Sequence, residues 1–201
     1  MDKPGKRHRL LLYARQFSRL RAPTLLIAIL SFILWWYAQL RPALSPELVQ
    51  TAIALAAGLS ALLFLYSLFA PGQAYIQCFP NYLRVNTPLF RMVISYSRIR
   101  TVRPVQFAPA NLRGGERSFL QPFLGQTVIA IDLNGYPVGE RMLRFFLNKH
   151  LFLAESTGLV FHTRDWMALS REIESYRSVW KTSRFESSRP DTPSINPFSM
   201  R

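Results

Sequence analysis

The chain has one cysteine, Cys78, in 201 residues. No intrachain disulfide can form, which suits a reducing compartment, and the alternation of Ala74, Ile76 and Cys78 reads as a strand that buries the thiol as a small hydrophobe. Acidic residues are scarce too, 11 against 25 lysines and arginines, for a formal charge of +14. That balance favours an anionic partner, either a lipid surface or a nucleic acid. Charge of either sign is missing altogether from residues 22–40. The patterns of common catalytic chemistries are also missing. There is no phosphate-binding glycine loop and no nucleophile elbow, and Gly114-Gly115 lacks the strand-to-helix setting that phosphate binding needs. His8, His150 and His162 are isolated from one another and from the cysteine, without metal-ligand spacing. Enzymatic activity, a metal and a cofactor are therefore not expected.

The uncharged run at residues 22–40 is 19 residues long, and as a helix it would extend about 28 Å, close to the thickness of a bilayer's hydrocarbon core. A second run, residues 48–70, has 23 residues. Only RPALSPE lies between them, so the two are expected to form an antiparallel transmembrane hairpin over residues 22–71. Residues 1–21 form a basic leader carrying Lys3, Lys6, Arg7, Arg9, Arg15, Arg19 and Arg21, whereas the connecting loop has Arg41 alone. By the positive-inside rule both termini face the cytoplasm, in the inner membrane of a cell, and Trp35, Trp36 and Tyr37 suit the outer interface. Leader arginines beside an anionic leaflet also favour lipid contact, although setting topology accounts for them. In the second run Ala52, Ala56 and Ser60 share one face and Ala54 with Gly58 another, a pattern that lets helices approach closely, within the chain or against a partner subunit.

After Pro71-Gly72 the period changes from helical to alternating. AYIQCF, YLRVNT and FRMVISY are separated by Pro80-Asn81 and Pro88-Leu89, as in a β-meander. Ile99 and Val102 are three apart instead of two, which predicts a turn or bulge leading into the next strand. Residues 104–126 read as a long loop, TVIAIDL as a strand, and LRFFL and HLFLAE as further strands. Trp166, Leu169, Ile173, Tyr176 and Trp180 form one face of a helix, with Thr163 as its N-cap. Residues 72–182 are expected to hold their own core, and residues 183–201 to be a disordered tail.

Two apolar helices followed by Leu83-Arg84-Val85, Thr87-Pro88-Leu89 and Ile94-Ser95-Tyr96-Ser97-Arg98-Ile99 resemble the bacterial pleckstrin-homology-like domain. The resemblance implies an α+β membrane protein: a transmembrane hairpin, then a pleckstrin-homology-like antiparallel β-barrel capped by a C-terminal α-helix. It implies no catalytic residue. The expected function is a noncatalytic membrane-anchored scaffold or binding module for a protein partner or anionic lipid headgroups. The contacts would come from Arg84, Arg91, Arg98, Arg100 and Arg103. An accessory subunit of a membrane complex is the alternative. Nucleic acid ranks last, because the arginines are not interleaved with aromatic residues as a stacking platform requires.

Overall fold

The computed structural model describes residues 3–40, 47–109, 112, 114–153 and 156–187. The fold is α+β. It opens with two long apolar helices, α1 (Leu11–Leu40) and α2 (Glu47–Gln73). At 1.5 Å per residue they extend about 45 and 40 Å, long enough to cross a membrane. They pack antiparallel, and their more sheltered positions recur at alternating intervals of three and four residues. These are Thr24, Ala28, Ser31, Trp35 and Ala38 on α1, and Ile53, Ala57, Ser60, Phe64 and Ser67 on α2. Small side chains at the seam let the backbones approach, while Leu26, Ile33, Leu55 and Leu62 stay more than half exposed. The apolar surface thus faces outward, the reverse of a water-soluble hairpin. The connecting residues 41–46 lie outside the described residues.

Seven strands among the described residues follow the expected alternation only in part. β1 (His8–Arg9), β2 (Tyr75–Cys78), β3 (Tyr82–Asn86) and β4 (Arg91–Ser95) form one antiparallel sheet in that order. In β3 Leu83 and Val85 are buried while Tyr82, Arg84 and Asn86 are not, as a half-wet strand requires. β5 (Ile99–Gln106), β6 (Thr127–Leu133) and β7 (Gly158–Phe161) form the second sheet, also antiparallel. Of the turn or bulge anticipated from Ile99 and Val102, the structure has an irregularity at the start of β5, a register shift between Ile99 and Thr101.

The expected closed barrel is corrected to two separate sheets. Among the described residues β4 and β5 do not pair, because a 3-10 turn over Tyr96–Arg98 redirects the chain between them. At the opposite corner a backbone hydrogen bond, Leu11 N to His162 O at 2.9 Å, links the chain after β1 to the chain after β7.

Two expected strands are replaced, one by a helix and one, over its described residues, by a turn with a single bridge. LRFFL is the end of α4 (Glu140–Phe146) and its C-cap, Leu147; Leu143 and Leu147, four residues apart, are buried, and Glu140 pairs with Arg144 one turn on. HLFLAE opens as a 3-10 turn, Lys149–Leu151, and contributes one bridge, Phe152 to Leu159. The loop at 104–126 contains the end of β5 and a short helix, α3 (Gly114–Leu120). β7 is buried on both faces, so no alternation marks it in the sequence. Its Gly158 is needed for close approach, since a Cβ there would lie 2.6 Å from the Ile131 carbonyl oxygen. The last helix, α5 (Trp166–Ser187), packs on β2, β5 and β6 through Leu169, Ile173 and Tyr176. Asp165 caps it in place of Thr163, its Oδ1 accepting from Ala168 N at 3.0 Å. Of the expected tail, residues 188–201 lie outside the described residues.

The N-terminal segment is part of the folded domain. Leu10 and Leu12 are fully buried and Tyr13 nearly so, in the same core as Ile76, Ile94, Ile131 and Leu169. Upstream, the segment is strapped across α5. Glu172 accepts from Lys6 N and contacts His8 Nε2, both at 2.8 Å, and Tyr176 donates its hydroxyl to the Lys3 carbonyl at 2.8 Å. Gly5 N donates to Cys78 O at 2.8 Å, and a side chain at Gly5 would collide with the Glu172 carboxylate.

Candidate functional site

The first three turns of α1 leave the apolar hairpin and pack on the domain, which fixes the domain's height on the helices. Arg15 Nε donates to Phe119 O at 2.9 Å, and Arg19 donates to Ser118 O at 2.6 Å while covering the Phe119 ring. Arg21 reaches the Ser67 carbonyl on α2 at 3.4 Å. Phe17 meets Tyr66 edge to face, and the Tyr66 hydroxyl donates to Pro88 O at 3.2 Å. The turn between β3 and β4 is therefore held beside the last turns of α2. Thr87 closes that turn, with its N donating to Phe90 O at 2.8 Å and its Oγ1 accepting from Phe90 N at 3.1 Å.

This end of the domain carries an apolar rim. Leu89 at the tip of the turn is 69% exposed, Phe145 on α4 82% and Phe69 on α2 69%. Phe146 beneath them stacks on Phe90 at 5.3 Å, so α4 and the turn support each other. Large apolar side chains at the level where two apolar helices enter the domain suit contact with acyl chains.

Between β1, the end of α2 and the same turn lies an open cleft of about 510 Å³, lined among others by Arg7, Gln73, Tyr75, Asn86, Leu89 and Arg91. Arg7 lies over the Tyr75 ring at 4.8 Å, and Arg91 Nε makes one long contact, 3.4 Å, to Asn86 Oδ1. Asn86 and Arg91 are register partners on the outward face of their sheet, and Asn86 Nδ2 donates to the Gln73 carbonyl at 2.7 Å. No carboxylate of the described residues lines the cleft.

The other expected arginine contacts are dispersed. Arg84 lies over Phe79 at 4.3 Å and donates to the Tyr82 hydroxyl. Arg98 donates to the Tyr136 carbonyl at 2.8 Å, and Arg103 pairs with Asp132 at 3.0 Å on the second sheet. Arg100 is exposed, and its carbonyl accepts from Arg177. Of the five, Arg91 alone faces the cleft, where it joins Arg7 of the leader. Leu89 and Phe145 were missed as functional candidates. A large apolar residue at the tip of a Pro-marked turn was the available signal for Leu89, but the strand reading of LRFFL hid Phe145.

Comparison with protein-family models, with curated proteins and with solved structures finds no match for this chain.

Elsewhere, among the described residues, no group of three or more His, Cys, Asp or Glu is placed to hold a metal ion. Cys78 is fully buried, and burial first, with the Glu172 charge second, pushes its thiol up to about 12. The thiolate is the reactive form. Ellman's reagent is therefore expected to leave the folded protein unlabelled for hours and to titrate one thiol in denaturant; rapid labelling without denaturant would contradict this. His162 is 1% exposed, with Phe107 and Phe123 edge-on to its ring at 4.3 and 5.2 Å. Among the described residues neither of its ring nitrogens, nor the buried Oγ1 of Thr163, has a hydrogen-bond partner.

Proposed function

We propose that this chain is a noncatalytic membrane-anchored binding module, inserted in the inner membrane by α1 and α2 with both termini cytoplasmic. Its domain works against the surface of the cytoplasmic leaflet and engages anionic lipid headgroups there. The supporting observation is the rim of Leu89, Phe145 and Phe69 beside the Arg7–Arg91 cleft, at the end of the domain from which the apolar helices emerge. Apolar contacts with a basic neighbourhood are the combination that holds a protein surface against an anionic bilayer. The resemblance to the bacterial pleckstrin-homology-like domain supports the reading, since two antiparallel sheets with a final helix packed on them suit it, although no ligand follows from a fold.

Insertional tags test the orientation. One placed within residues 41–47 is expected to react with an impermeant reagent on intact cells, and one after Arg201 only after permeabilisation. The reverse pattern would overturn the orientation.

A second reading, an accessory subunit of a membrane complex, is favoured by one observation. Ala52, Ala56, Ala54 and Gly58 are exposed on α2 and not spent on the seam with α1. Such small-residue faces are available to a helix of another chain. A stoichiometric partner retained in mild detergent, and lost on Gly58→Leu, would favour this reading.

A further inference from the structure

We propose that the cleft between Arg7 and Arg91 is a binding site for the phosphate of an anionic phospholipid from the leaflet in which the chain sits. This rests on the membrane-anchored reading above and adds to it a specific site in place of a diffuse field.

Among the described residues, two guanidinium groups line one cleft that no carboxylate lines, and neither forms an ion pair. Arg15, Arg19, Arg84, Arg98 and Arg103 differ in that each donates to a carbonyl, hydroxyl or carboxylate of its own chain at 3.1 Å or less. Arg7 is steadied by the Tyr75 ring, and Arg91 by a single long contact, so both retain donors for an incoming anion. Phosphate oxygens suit such a pair of planar forks.

Position selects the source of the phosphate. The cleft includes Gly72 and Gln73, where α2 leaves its apolar run, and Leu89 on its wall projects into solvent beside that helix. A headgroup would enter from the bilayer with its chains along Leu89 and Phe69. The carboxyl end of a helix repels anions. Here that effect is reduced, because the Asn86 amide occupies the Gln73 carbonyl at 2.7 Å.

The test uses the full chain, purified in mild detergent and titrated with short-chain phosphatidylglycerol or phosphatidylcholine while native mass spectrometry counts retained lipid. Phosphatidylglycerol is expected to be retained preferentially. Arg7→Gln with Arg91→Gln should lower that retention by about tenfold or more, the size of one charge-assisted hydrogen bond. Arg7→Lys with Arg91→Lys, which keeps the charge but not the planar fork, should retain more than the glutamine pair and less than the original, which guards against misfolding of the glutamine pair. Arg98→Gln with Arg103→Gln should change it less than about twofold. Equal retention of the two lipids, or equal losses from the two glutamine pairs, would overturn the site. Displacement of the lipid by glycerol phosphate at equal concentration would overturn the lipid assignment in favour of a soluble phosphate. Extraction of the chain from membranes by alkaline carbonate would sink the anchored reading itself, whereas an unextracted chain without lipid preference would sink only the cleft.

Discussion

A chain reduced to residues 72–187 is expected not to fold, whereas residues 3–21 joined to residues 67–187 through about four Gly and Ser residues should give a soluble, cooperatively unfolding domain. The shorter fragment starts where the sequence changes period, and it looks sufficient on that ground. It lacks β1, the buried Leu10 and Leu12, and the strap that occupies Glu172. Truncation of one buried leucine costs about 2–5 kcal/mol, and a domain's whole stability is about 5–15 kcal/mol. Loss of both leucines, of Tyr13 and of an edge strand therefore consumes the margin. The joined chain restores all of them. Its linker is short because Arg21 already touches the Ser67 carbonyl across the hairpin, and neighbouring helix axes lie about 8–10 Å apart. Far-UV circular dichroism and urea titration of the two chains decide the matter. A sigmoidal transition in the shorter fragment would show that the N-terminal segment decorates the domain and does not complete it.

No local signal in the sequence marks this segment as part of the domain. Seven basic residues ahead of an apolar run are explained fully by topology, and nothing in HRLLLYARQF marks a two-residue strand. His8 and Arg9 become β1 because β2 offers an open edge, a long-range pairing without local periodicity. The hairpin was legible because a span needs only length and the absence of charge. β2, β3 and β4 were legible because each alternates. α4 was misread because the short run Leu143–Leu147 fits both periods, and only the burial of Leu143 with Leu147, leaving Phe145 outside, selects the helical one. The candidate site was half legible. Arg91 stood among five arginines, but its pairing with Arg7 across 84 residues of sequence depends on β1 joining the sheet. The same arginines were expected to act together, and the two sheets distribute them over different faces.

The second large effect concerns pH and His162. Burial, and secondarily the charge of His150, lowers its pKa to about 4, against 6.5 in an unfolded chain. Between these values the unfolded chain takes up a proton that the folded one refuses. The neutral ring's contribution is thus complete above pH 6.5 and is lost as pH falls toward 4, a shift that corresponds to about 3 kcal/mol. His150, also lowered by burial, adds a smaller effect of the same sign. Replacement by an apolar side chain of similar size removes both the titration and two unpartnered nitrogens. His162→Leu is therefore expected to match or exceed the original stability at pH 7.5, because an unsatisfied buried polar group costs about 1–3 kcal/mol. The gap should widen in the variant's favour toward pH 4.5. Urea midpoints of the joined domain at pH 7.5, 6.0 and 4.5, with and without the substitution, measure this. If the variant and the original lost stability in parallel on acidification, the proton would be taken up elsewhere. If the variant were destabilised at pH 7.5, the imidazole would have polar partners, such as a buried water shared with Thr163 Oγ1, and its depressed basicity would have a different cause.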